Sequence, residues 1–300
     1  MDNANPIIVN KKNVYEKSYK LILIIPIILL LFSLIYLYQF NAKNGDLVYR
    51  DVSLTGGTTI TVFDSNVDVN NLKETLRAQF PDVSVRVIAD ITTRRQQAFF
   101  VETSSSPEEI QTALESLLGY SLNSENSSVE FTGSSLSTGF YQQLRFAILL
   151  AFIFMAAVIF FIFRSPIPSL AVILAAFADI VMTIAVIDLF GIPLSIGGIV
   201  ALLMLIGYSV DTDILLTSRL LRNRDESANM RTLNAFKTGI TMTLTAIAAV
   251  GISLFIIYSF SETLRQIFTI LLVGLSFDII NTWLMNASIL RWYMEVKKIE

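Results

Sequence analysis

Four carboxylates stand where carboxylates are costly. Asp179, Asp211, Asp213 and Asp278 each lie inside a long apolar run, and an ionisable side chain within a membrane-spanning helix marks a functional position by default. Such a group can take up and release a proton as its surroundings change. The chain has no His, which excludes imidazole shuttles, Ser-His-Asp triads and HExxH zinc sites. It has no Cys either, so disulfides and thiolate metal centres are absent. Carboxylates are therefore the main candidates for passing protons through a bilayer. Lys237 opens the fifth apolar run from the side toward which Asp211 and Asp213 lie, and is the candidate counter-charge. The bland alternative is glue: aspartates that hydrogen-bond neighbouring helices and move no charge.

Spacing sharpens these roles. Asp179 and Asp278 fall about 12 residues into their runs, which at 1.5 Å per residue places both near the bilayer midplane. Asp211 and Asp213 are two residues apart, hence about 200° around a helix, so they cannot share a face. Which of the two titrates is left open by the spacing. Asp278 and Asn281, three apart, do share a face. Asp188 lies near the outer end of its run and reads as a side chain reaching for the headgroups. Gly197, Gly198 and Gly207 read as tight helix packing or a hinge.

The elements that must position these groups follow from composition. Of 300 residues, 53% are hydrophobic and only 16% charged, against ~25% charged in soluble chains. Mean hydropathy is +0.61. Six spans of about 20 residues account for the excess. They are read at residues 21–40, 144–163, 167–190, 194–216, 238–260 and 266–290. The first is an uncleaved anchor rather than a signal peptide, because its polar lead is long and no A-x-A site follows. Lys and Arg set the direction. Thirteen lie on one side: Lys11, Lys12, Lys17, Lys20, Arg164, Arg219, Arg222, Arg224, Arg231, Lys237, Arg291, Lys297 and Lys298. In the short flanks opposite stand only Arg145 and Arg265. Segments 1–20 and 291–300 are thus expected in the cytoplasm and residues 41–143 outside, in a multi-pass protein of the cell membrane.

Residues 41–143 read as a small α+β domain. Residues 58–63, 83–89, 98–102 and 129–132 have strand patterns, and residues 69–80 carry apolar positions at helical spacing. A second helix starts at Ser106-Pro107-Glu108-Glu109, an S-x-x-E capping box with Pro at the first helical position, and Gly119 closes it. The order βαββαβ is the ferredoxin-like arrangement. A Gly/Ser-rich stretch, residues 133–139, reads as a hinge back into the membrane.

Other chemistries find no support. There is no G-x-x-x-x-G-K-[ST] for ATP, and Gly56-Gly57 lacks the third glycine of a dinucleotide fingerprint. Gly207-Tyr208-Ser209 does not continue as a nucleophile elbow. No cofactor or metal is implied, and a net charge of −3 gives no nucleic-acid footprint. The reading is a transport component, not an enzyme.

One anchor, an external α+β domain and five clustered spans resemble the SecD/SecF family of protein-export membrane proteins, related to RND-type pumps. The residues that carry the likeness are Leu54-Thr55-Gly56-Gly57-Thr58 after the first span, residues 207–219 (GYSVDTDILLTSR) and residues 237–245 (KTGITMTLT). Within the family the Asp211-Thr212-Asp213 form is similar to archaeal SecF. Bacterial SecF commonly has Asn-Asp where this chain has Asp211-Thr212, and Arg where Lys237 stands. The resemblance implies a SecD-like partner, a SecYEG-type translocon and an unfolded preprotein as substrate. Proton or other ion flow through the bundle would then drive movement of the emerging chain. The alternative is half of an RND-type efflux transporter for small molecules or lipids.

Overall fold

The computed structural model describes residues 19–89, 93, 95–222, 227–258 and 262–298, without the side chains of Ser135, Arg222 and Glu262. Lys11, Lys12, Lys17 and Arg224 lie outside the described residues.

The first helix, α1 (Ile24–Asn44), ends at Gly45, whose φ of +76° closes it in the left-handed region. A short helix α2 (Val52–Thr55) follows, capped by the Asp51 carboxylate, which accepts from Val52 N at 2.5 Å. Four residues are too few to leave a periodic signal in the sequence.

The external domain comprises β1 (Gly57–Val62), α3 (Val69–Gln79), β2 (Ser84–Ala89), β3 (Gln96–Thr103), α4 (Pro107–Leu118) and β4 (Ser127–Thr132). The strands lie in the order β2-β3-β1-β4, and every neighbouring pair is antiparallel. This is the expected ferredoxin-like arrangement. Alternation along each strand sends Ile60, Val62, Val85, Phe99 and Val101 to one face. There they meet Leu72 and Leu76 of α3 and Ile110 and Leu114 of α4 in one apolar core. Ser106 caps α4 by accepting from Glu109 N at 3.4 Å, and Gly119 ends it at φ +78°.

Membrane helices follow as α5 (Ser134–Phe163), α6 (Pro166–Leu189), α7 (Ile196–Arg222), α8 (Ala228–Ile257) and α9 (Glu262–Ile280). The last continues through a π-helical stretch, Asn281–Asn286, into α10 (Ala287–Lys297). Among the described residues, six helices are long and apolar enough to cross a membrane. The expected hinge at residues 133–139 is corrected: α5 is continuous from Ser134. Its first turns pack on α2, with Tyr141 buried beside Leu54, and that packing overrides the weak helix propensity of Gly and Ser.

Gly56 and Gly57 make the passage from α2 into β1. Their φ angles are +83° and +147°, a region that favours glycine. A Cβ on Gly56 would lie 2.5 Å from the Ser134 backbone, and one on Gly57 would strike the carbonyl oxygen of Thr103. The Gly-Gly pair therefore lets three backbone segments cross at the base of the external domain.

Large apolar side chains such as Phe154, Phe161, Phe255 and Ile252 cover the outside of the bundle. Its interior is oxygen-rich. Asp179, Thr183, Ser209, Thr212, Asp213, Asp278, Asn281, Thr282 and Asn286 are each at most 4% exposed.

Candidate functional site

Three helices bring one carboxylate each to the centre of the bundle. Ser209, Thr212 and Asp213 recur at helical spacing on the inner face of α7. Asp179 reaches in from α6 and Asp278 from α9. Asp179 accepts from Ser209 Oγ at 2.5 Å and from Asn281 Nδ2 at 2.7 Å, one bond on each oxygen. Asp278 accepts from Thr212 Oγ1 at 3.0 Å, from Thr282 Oγ1 at 3.1 Å and from Thr243 Oγ1 of α8 at 3.3 Å. Asp213 Oδ1 accepts from Asn286 Nδ2 at 2.7 Å and from Thr282 Oγ1 at 3.0 Å. Every one of these partners is a hydroxyl or an amide; no Lys or Arg is among them.

The π-helical stretch makes this convergence possible. In an α-helix Asn281 and Asn286 would point about 140° apart. Here Ala287 N bonds back to Thr282 O, an i→i−5 link, and such wider turns bring residues five apart nearly into line. One helix can then serve Asp179 through Asn281 and Asp213 through Asn286. Single-turn π insertions recur at functional sites.

Thr282 is the chemical link. Its hydroxyl has one proton to donate and lone pairs to accept with, yet it lies within 3.1 Å of both Asp213 and Asp278. A proton arriving on one carboxylate can be relayed to the other if this hydroxyl accepts it and gives up its own proton to the second carboxylate. Three further oxygens, Asp213 Oδ2, Asn281 Oδ1 and Asn286 Oδ1, are buried without a hydrogen-bond donor. The centre thus has spare acceptors.

The structure brings together Asp179, Asp213, Asp278 and Asn281. Asp211 and Lys237 stay apart from them, both exposed on the bundle surface. The 200° between Asp211 and Asp213 lets only one of them face inward, and the packing of α7 makes it Asp213. Lys237 sits well within α8, which begins nine residues earlier than it does, and is not the counter-charge of the buried aspartates. Asp188 is also corrected: it is 3% exposed and accepts from Tyr49 N at 3.2 Å, so it caps protein backbone instead of reaching for headgroups. Sequence reasoning gave no site role to Ser209, Thr212, Thr243, Thr282 or Asn286. Their signal was spacing: Ser209 and Thr212 lie four and one before Asp213, and Thr282 and Asn286 four and eight after Asp278. Of the glycines, Gly197 and Gly198 have no room for a Cβ against Thr263 and Leu194, which is packing, whereas Gly207 faces open space.

The profile described as "Protein export membrane protein SecD/SecF, C-terminal" matches residues 110–296. The protein-export membrane protein SecF of Methanothermobacter thermautotrophicus is 38% identical over 286 residues, covering 94% of each chain. SecF of Methanocaldococcus jannaschii is also 38% identical over 286 residues, covering 93% of this chain and 96% of its own. The chain belongs to the SecF family. This SecF is therefore a multi-pass membrane protein of protein export, and its archaeal relatives match nearly end to end. Its fold is similar to the crystal structure of SecDF, a translocon-associated membrane protein from Thermus thermophilus. The TM-score is 0.70 at 19% identity, covering 93% of this chain and 38% of that one. SecF thus has the extent of rather more than a third of that longer chain.

Proposed function

We propose that this SecF acts with a SecD-like six-span partner at a SecYEG-type translocon, where ion movement through the buried carboxylates promotes export of unfolded polypeptides. The observation that carries this reading is Thr282 shared between Asp213 and Asp278, at the centre of three helices and away from water. A hydrogen-bond pattern that changes when either carboxylate gains a proton alters which helices are tied together. The ion is a proton in this reading, because hydroxyl and carboxyl groups alone suffice to relay it.

Two features support a partner. Asp211 and Lys237 are exposed on helices whose other surface residues are mostly apolar, and charge against lipid is costly. A polar surface of a second half relieves that cost. The length of SecDF from Thermus thermophilus, of which this chain spans 38%, is consistent with a missing complement. Charge supports the orientation: Arg164, Arg219, Arg231, Lys237 and Arg291 lie toward the ends assigned to the cytoplasm, and in this reading the external domain faces the side where an exported chain emerges.

The test is export into proteoliposomes holding the channel, SecF and its SecD-like partner, with and without a proton gradient. The gradient is expected to accelerate export in wild type and to do nothing in Asp278→Asn or Asp213→Asn, with assembly intact. Full stimulation in both variants rejects the coupling role.

A further inference from the structure

The outer ends of α6 and α7 are bonded to a single stretch of chain, and α9, the third helix that supplies a carboxylate, is bonded to the turn between them. That stretch is residues 49–53, which runs through α2 directly into β1 of the external domain. Each link is a hydrogen bond. At the end of α6, Asp188 Oδ1 accepts from Tyr49 N at 3.2 Å. In the α6–α7 turn, Leu194 N donates to Tyr49 O at 2.6 Å, and Asp51 N donates to Leu194 O at 2.9 Å. Arg50 and Leu194 thereby pair as a parallel β-bridge, a piece of sheet outside the external domain's own. At the start of α7, Ile196 N donates to Ser53 Oγ at 3.4 Å.

The third helix joins through one side chain. Gln266 of α9, 6% exposed, donates from Nε2 to Pro193 O, while its Oε1 accepts from Ser195 N at 3.1 Å and from Ser195 Oγ. Ser195 Oγ in turn accepts from Gly198 N at 3.2 Å. One amide therefore holds both flanks of the turn that pairs with residues 49–51. Gly197 and Gly198 allow the closeness: a Cβ on Gly198 would lie 2.9 Å from Gln266 Oε1, and one on Gly197 would lie 2.6 Å from Thr263. Around these bonds Val48, Leu54, Ile187, Leu194, Ile199 and Ile270 close a buried apolar cluster.

Rigid helices connect this knot to the carboxylates. At 1.5 Å per residue, Asp188 is about 13 Å from Asp179 along α6, Gln266 about 18 Å from Asp278 along α9, and Ile196 about 25 Å from Asp213 along α7. A relative shift of any two helices at the cluster must strain or slide the same turn, because packed helices move as bodies instead of deforming continuously.

We infer that the α6–α7 turn and residues 49–53 form a mechanical tie carrying rearrangements of the carboxylate cluster to the external domain, with Gln266 as its positioning residue. This rests on the ion-coupled reading above and adds the route by which that coupling leaves the membrane. A tie of this kind needs polar links, since the directional bonds of Gln266 fix register where apolar contacts alone let helices slip.

The test uses the full chain, naturally free of Cys, reconstituted in nanodiscs and spin-labelled at Glu74→Cys on α3 and Phe255→Cys at the outer end of α8. Asp278→Asn is expected to shift the distance distribution between the labels. Adding Gln266→Ala is expected to abolish that shift, as is the milder Ser53→Ala, which removes only the bond to Ile196 N and spares the fold. Gradient-stimulated export, measured in parallel with the partner present, is expected to fall in both variants. A shift that persists undiminished in Gln266→Ala and Ser53→Ala overturns the tie. No shift at all in Asp278→Asn, in a protein whose export still depends on Asp278, also overturns the tie while leaving the ion-coupled reading in place.

Discussion

The external domain and the membrane bundle obey one rule with opposite signs. In the domain, Ile60, Phe99, Ile110 and Leu114 are fully buried, and charges stay nearer the surface in pairs such as Arg86–Glu102 at 3.2 Å. In the bundle, aspartates, threonines and asparagines are fully buried and phenylalanines look outward. Water drives apolar side chains together in the first case. Lipid supplies no such force between helices, so small side chains and hydrogen bonds assemble the second. The domain's core is therefore where its stability resides, whereas the bundle's centre is a polar device held in place by its surroundings.

This contrast can be broken or sharpened by substitution. The largest stability effect is expected in the domain. Leu114→Ala should cost about 2–5 kcal/mol, seen as accelerated hydrogen exchange across β1 and β3, while exchange in α6 and α7 stays slow. Equal loss of protection in both regions would mean that they do not unfold separately. Next comes Thr282→Val, which keeps shape and removes the shared hydroxyl. It should cost about 1–3 kcal/mol in stability yet eliminate gradient-stimulated export, with Thr282→Ser restoring it; a fully stimulated valine variant would demote the centre to glue. Smaller still are Asp211→Asn and Lys237→Ala, which are expected to cost the isolated chain no stability, since each removes a charge that would otherwise face lipid. Both should weaken co-purification with a six-span partner, and unaltered co-purification would remove them from the interface.

The subtlest effect concerns pH. Burial pushes the Asp82 carboxyl up, but bonds from Ser104 N at 2.6 Å and Thr103 Oγ1 at 3.1 Å outweigh it and hold the group below its usual range. A depressed folded value contributes stability above the unfolded pKa of about 3.9, and that contribution is lost as pH falls toward the folded value. Asp82→Asn should thus destabilise the external domain at neutral pH, with the difference from wild type shrinking below about pH 4. A gap that stays constant down to pH 2 would assign the effect to packing.

Much of the fold could be read because local chemistry and tertiary structure agree. Ser106, Pro107 and Gly119 bound a helix whatever surrounds it, and Val85, Val87 and Ala89 alternate as a strand must. The hinge reading of residues 133–139 failed because Gly and Ser report weak local preference, and contact with α2 outweighed it. Site residues were legible only in part. Four acidic or amide positions stood out against apolar runs, but Thr282 and Asn286 hid behind ordinary polar identity, and the π-helical turn that aims them has no local signature.

Sequence alone determined that carboxylates lie within apolar spans, that Asp211 and Asp213 face opposite ways, and that an α+β domain separates the first span from the other five. Those follow from hydropathy, the 100° step of a helix and the two-residue period of a strand, which act over a few residues. Tertiary structure decided which aspartate is inside, that Thr282 joins two of them, and that Gln266 gathers the outer turn. These depend on which helices become neighbours, and contacts between residues 30 to 102 positions apart are set by packing of the whole bundle, not by any local pattern.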